Sequence, residues 1–92
     1  MNHKIANYFK NKEDIIAAYL FGSYASGKQR SGSDLDLAVL FDSRDRAFIN
    51  RQLDRYLIDL SRILRNDIHL TAMNFSSEAL LEQIFNKDIK KL

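Results

Sequence analysis

Apolar positions along the chain switch between two periods, and the switches mark the elements. Ile5, Tyr8 and Phe9 fall three and four apart, which predicts a short amphipathic helix over residues 2–12. "IIAAYLF", Ile15 to Phe21, is an unbroken apolar run ending at Gly22. It is too short for a typical helix and fits a strand covered on both faces. "SYAS" reads as a helical turn capped by Ser23 and closed by Gly27, and "KQRSGS" as a polar loop. "DLDLAVLF", Asp34 to Phe41, is a second strand, alternating at first and then fully apolar. From Ser43 to about Arg65, Ile49, Leu53, Tyr56, Leu57, Leu60, Ile63 and Leu64 mark one face of a long helix capped by Asp42 or Ser43. Asn66-Asp67 is a turn signal, and Ile68 to Met73 reads as a third strand. Ser76 or Ser77 then caps a last helix carrying Leu80, Leu81, Ile84 and Phe85, with "NKDIKKL" as its solvated end. The order predicts an α/β (α+β) fold: a sheet of about three strands with helices packed against it.

Composition narrows the function. Ninety-two residues make one domain, residues 1–92, and a chain of this size buries roughly 60–65% of its unfolded surface, so its stability is modest and there is room for a partner to add to it. Cysteine is absent, which excludes disulfides, thiolate zinc sites and a cysteine nucleophile. The start lacks the apolar core of a signal peptide and no run approaches a membrane span, so the chain is read as cytoplasmic, with no membrane association. A net charge of +2, with acids and bases interspersed, argues against nucleic acid as a partner.

All three glycines, Gly22, Gly27 and Gly32, lie just before two acids, Asp34 and Asp36. Side chains alternate across a strand, so Asp34 and Asp36 share one face and Leu35, Leu37 and Val39 the other. Two such carboxylates repel each other and cost desolvation unless a cation sits between them. Oxygen ligands suit Mg²⁺ or Mn²⁺, and Mg²⁺ takes one or two protein carboxylates plus phosphate oxygens. Gly22-Ser23 lies where a strand meets a helical turn, where backbone approaches a ligand closely and free N–H groups favour phosphate. Singly, each feature has a plainer reading: a Gly-Ser pair as a turn, the acids as a solvated strand end, Ser33 as a loop brace. Lys28 and Arg30 read as a solvated loop, His3 as a surface residue, and the long helix's arginines as a solvated face paired with Asp45, Asp54 and Asp59. The joint spacing of cradle and clamp is what points to a nucleoside triphosphate with a divalent ion.

The stretch "GSYASGKQRSGSDLDLAVLF" resembles the signature of the minimal nucleotidyltransferases of the DNA polymerase β-like superfamily: Gly-Ser, a helical turn with glycine, a polar loop, then Ser-Asp-x-Asp-Leu. The resemblance extends through the long helix and the third strand. It implies a small mixed sheet and Mg²⁺-dependent transfer of a nucleoside monophosphate, AMP from ATP, to an acceptor hydroxyl. It implies that Gly22, Ser23 and Ser33 hold the triphosphate and that Asp34 and Asp36 bind the metal. Many small members are antitoxins encoded beside a HEPN-domain toxin, and such antitoxins can adenylylate a tyrosine of the toxin. The partner expected is therefore a HEPN-type toxin, in a complex. Relatives often continue further, which makes this a short member or a truncated one.

One position departs. The family's third carboxylate lies on the strand after the long helix, and aligning "RNDIHLTAMN" on its apolar residues puts His69 there, between Ile68 and Leu70. Asp67 shares that face but lies roughly 6–7 Å earlier along the strand. Three alternatives follow: Asp67 substitutes; His69 acts as base or ligand, imidazole suiting Mn²⁺ or Zn²⁺ better than Mg²⁺; or turnover is lost, leaving a nucleotide-binding module that neutralises its partner by occlusion.

Overall fold

The computed structural model describes residues 2–21, 34–85 and 89–92. Helix α1 (Asn2–Lys10) leads into strand β1 (Ile15–Phe21); then come β2 (Leu35–Phe41), the long helix α2 (Arg46–Leu64), β3 (Ile68–Ala72), a 3₁₀ turn (Met73–Phe75), helix α3 (Glu78–Phe85) and β4 (Ile89–Lys91). The sheet is mixed, in the order β3-β2-β1-β4. β1 runs antiparallel to β2 and β4, and β3 runs parallel to β2 through the α2 crossover.

The three expected strands are present and a fourth joins them. Residues 89–91, read from the sequence as a solvated helix end, pair with Tyr19–Phe21, and the N–H of Leu92 continues the ladder to the carbonyl of Ala18. A strand this short exists only because β1 offers it an edge, so no local pattern announces it.

One face of the sheet carries the core. Leu35, Leu37, Val39 and Phe41 of β2, Ala18 and Leu20 of β1, and Ile68 and Ala72 of β3 meet Ile5 and Phe9 of α1 and Ile49, Tyr56 and Leu60 of α2. β1 is not covered on both faces as its apolar run suggested: Ala18 and Leu20 are buried, while Ala17, Tyr19 and Phe21 are half-buried and Ile16 is exposed. Ile16 falls where the β1–β2 register shifts, between the partners of Ile15 and Ala17, so it is the extra residue of a bulge.

Helix α2 starts later than its polar flank suggested. Asp45 is the N-cap, accepting from the N–H of Phe48 at 3.2 Å, while the Ser43 hydroxyl accepts from the N–H of Asp45 at 3.1 Å and turns the chain ahead of the cap. The helix ends on Arg65 in the left-handed region, φ 52°, its N–H returning to the carbonyl of Ser61. Asn74 closes the end of β2: its side chain accepts from the N–H of Phe41 at 2.9 Å and donates to the carbonyls of Phe41 and Ser43 at 2.9 and 3.2 Å.

Candidate functional site

Strand register assembles the site. β2 and β3 start at the same end of the sheet, with Leu35 beside Ile68 and Asp36 beside His69, and the N–H of Leu35 donates to the carbonyl of Asp67 at 2.9 Å. β1 finishes there, with Phe21 opposite Asp36. Phe21, Asp36 and His69 therefore form a row across the sheet on the face opposite Leu35 and Leu37, both of which are fully buried. Asp34 lies one step ahead of β2.

His69 bridges the two acids. Its Nε2 lies 3.1 Å from Asp34 Oδ2 and its Nδ1 3.4 Å from Asp36 Oδ1. The imidazole is 66% exposed, Asp34 41% and Asp36 27%, so the cluster opens to solvent. A neutral imidazole donates from one nitrogen only; an imidazolium serves both carboxylates. Asp67 takes a different place: it precedes β3, is exposed, and has its N–H held by the Asn66 side chain at 3.0 Å. Of the two, His69 is the side chain that meets Asp34 and Asp36.

Among the described residues, no three His, Asp or Glu side chains surround a common point where a metal could sit. The donor set nonetheless fits a hard divalent cation, because Mg²⁺ and Mn²⁺ complete their shells with phosphate oxygens and water around one or two carboxylates. Gly22, Ser23 and Ser33, with Lys28 and Arg30, lie outside the described residues. The chain enters that stretch at Phe21 and leaves it at Asp34, both at the site end of the sheet.

Sequence reasoning missed a polar network at the other end. Asp14, whose carbonyl accepts from the N–H of Asp42 at the far end of β2, receives the Tyr56 hydroxyl on both carboxylate oxygens at 2.7 Å and Gln52 Nε2 at 3.1 Å. Burial first, then the hydrogen bond to Asp14, pushes the Tyr56 hydroxyl well above the ordinary tyrosine range. Tyr8, which donates to Asp59 at 2.7 Å, is shifted the same way, again chiefly by burial. A cavity of about 430 Å³ lined by Asn11, Asp14, Phe48, Gln52, Arg55 and Tyr56 sits beside this network, remote from Asp34. Asp14 and Tyr56 are already satisfied there, so the network anchors α2 to the sheet. Nothing local marks Asp14 for this role; its partners lie 38 and 42 residues away.

The family model described as polymerase beta, nucleotidyltransferase, matches residues 3–90. No curated protein matches the chain. Among solved structures, a toxin–antitoxin with AMP-PNP is 28% identical over 97% of this chain and 69% of that one, with a TM-score of 0.82. A mutant MntA-HpeT toxin–antitoxin is 29% identical over 100% of this chain and 71% of that one, again at 0.82. A tri-AMPylated Shewanella oneidensis HEPN toxin in complex with an MNT antitoxin is 24% identical over 97% of this chain and 66% of that one, with a TM-score of 0.73, and speaks for the fold alone.

Proposed function

Because the chain belongs to the polymerase beta nucleotidyltransferase family, we propose that residues 1–92 form one nucleotidyltransferase domain, an antitoxin that transfers AMP from ATP to a hydroxyl of a HEPN-type partner. The observation that supports this reading is that Asp34 and Asp36 both meet His69 at the end of the sheet where β1 finishes, the residue after β1 in the sequence being Gly22. Similarity to a toxin–antitoxin with AMP-PNP supports the nucleotide, and similarity to MntA-HpeT supports the partner. Among the described residues no helix is long and apolar enough to cross a membrane, and we place the complex in the cytoplasm.

In this reading Gly22, Ser23 and Ser33 cradle the triphosphate, and Asp34 and Asp36 hold Mg²⁺ or Mn²⁺. The ion supplies charge neutralisation for the phosphates and the leaving group. The acceptor oxygen attacks the α-phosphorus, the α–β anhydride breaks, and pyrophosphate departs while the hydroxyl proton passes to a base. Orientation comes from the rigid row across β1, β2 and β3. Calorimetry with AMP-PNP and Mg²⁺ or Mn²⁺ tests the site. Binding by the wild-type chain and its loss in a folded Asp34→Asn, Asp36→Asn variant is the expected result; equal binding by both removes the acids from the site.

The contact of His69 with both carboxylates favours a second reading, in which the protein neutralises its partner by occlusion without turnover. That reading requires the same double variant to protect against the partner as well as the wild type does. Loss of protection by a variant that still folds and still binds eliminates it.

A further inference from the structure

We infer that the outer face of α2 docks an acidic patch of the partner protein, with Arg51, Arg55 and Arg62 as its charged contacts and Ile58 as its apolar centre. The inference deepens the reading of the chain as one half of a complex, and it rests on that reading. Six of the seven arginines fall within residues 44–65, and that segment holds no lysine. A face kept only for solubility has no need of that choice. Lysine is the more strongly hydrated cation, whereas the planar arginine fork matches a carboxylate with two bonds at once. Arg51, Arg55, Ile58 and Arg62 follow one another at helical spacing, so they form one row about 16 Å long. All four are exposed, Ile58 by 52%.

The helix does not neutralise this row itself. Of the acids that the sequence offers as pairs for its arginines, Asp45 caps the helix by accepting from the N–H of Phe48, and Asp59 accepts from the Tyr8 hydroxyl at 2.7 Å. Among the described residues no arginine of α2 stands within ion-pair distance of a carboxylate. Arg51 and Arg55, four apart, repel each other. An acidic surface laid along the row relieves that repulsion, pairs with the forks and covers Ile58. Arginine around a desolvated apolar centre is the make-up of a protein–protein contact. A phosphate backbone fits less well: it has nothing to set against Ile58, and Asp54, exposed beside the row, repels it. The row also leads toward the site. α2 runs from the far end of β2 back to the start of β3, where the carbonyl of Asp67 accepts from the N–H of Leu35. The Arg62 end of the row therefore lies at the same end of the sheet as Asp34.

The test uses the whole chain with its HEPN-domain partner, with affinity read by calorimetry at low and at physiological salt. Arg51→Glu, Arg55→Glu, Arg62→Glu should weaken the complex about a hundredfold or more, since like charges set against each other across an interface are strongly repelled. Its urea midpoint shows whether that variant folds, and Arg51→Gln, Arg55→Gln, Arg62→Gln, a milder change expected to cost about tenfold, serves if it does not. Wild-type affinity should fall as salt rises, and Lys4→Glu with Lys10→Glu, on α1, should leave it nearly unchanged. Unchanged affinity in the folded arginine variants, or an equal loss in the lysine variant, overturns the inference and leaves the partner in place. Single-stranded RNA bound by the wild type and released by the arginine changes, with partner affinity unmoved, gives the row to nucleic acid and overturns it too. No complex with the wild-type chain overturns the partner and this docking surface together.

Discussion

Tyr56 is only 3% exposed, yet its hydroxyl reaches Asp14, its ring stacks on Phe41 at 6.2 Å, and Tyr8 and Phe9 meet it edge-on at 5.7 Å. Its apolar body belongs to the core while its polar tip ties α2 to the start of β1. Tyr56→Phe keeps the ring packing and takes a donor from Asp14, so it should cost about 1–3 kcal/mol in urea unfolding. The same chemistry predicts a pH dependence. Unfolded tyrosines release their protons near pH 10, whereas the folded chain holds those of Tyr8 and Tyr56 more tightly. Stability is therefore full below about pH 10 and falls as pH rises beyond it, because the unfolded state then binds fewer protons. Urea midpoints followed upward from about pH 9 should show that fall, and a Tyr8→Phe, Tyr56→Phe chain should show a shallower one. At this scale part of the candidate site was legible in the sequence. Period two put Asp34 and Asp36 on one face, and apolar alignment put His69 beside them. That the ring touches both acids depends on the β2–β3 register, which is a tertiary fact.

Helix α2 and strands β1 to β3 were legible because long or strongly patterned segments carry their own signal. What escaped was set by neighbours. β4 owes its existence to β1's edge, and the one-sided burial of β1 follows from α1 and α2 contributing to a single core on one face. The cap moved from the Asp42-Ser43 pair to Asp45 because Asn74 and Ser43 first hold the intervening turn in place. The end of α2 keeps a cost that the sequence could avoid. Arg65 sits at φ 52°, where a side chain beyond glycine is strained. Arg65→Gly should raise stability by up to about 1 kcal/mol, read as a higher urea midpoint with unchanged denaturant slope, since only the local backbone preference changes.

Across the whole molecule, polar anchoring and candidate chemistry occupy opposite ends of the sheet. Asp14 with Tyr56 and Gln52, and Asn74 with Phe41 and Ser43, hold the end remote from Asp34. At the other end, the acids are met by an exposed imidazole. The described polar anchors thus lie at the end remote from the acid–imidazole cluster. Family membership was legible from the spacing of Gly22, Ser23, Asp34 and Asp36. The proposed partner and reaction rest on resemblance, because an acceptor that arrives on another chain leaves no pattern in this one.

The proposed activity is movement of AMP by this domain onto its partner. ATP labelled at the α-phosphorus, incubated with the wild-type chain, a HEPN-domain partner and Mg²⁺ or Mn²⁺, tests it most directly. Label should appear on the partner from α-labelled ATP and not from γ-labelled ATP, with the transfer lost in Asp34→Asn and in Asp36→Asn. A partner that stays unlabelled with either metal, under conditions where the complex forms, would contradict it.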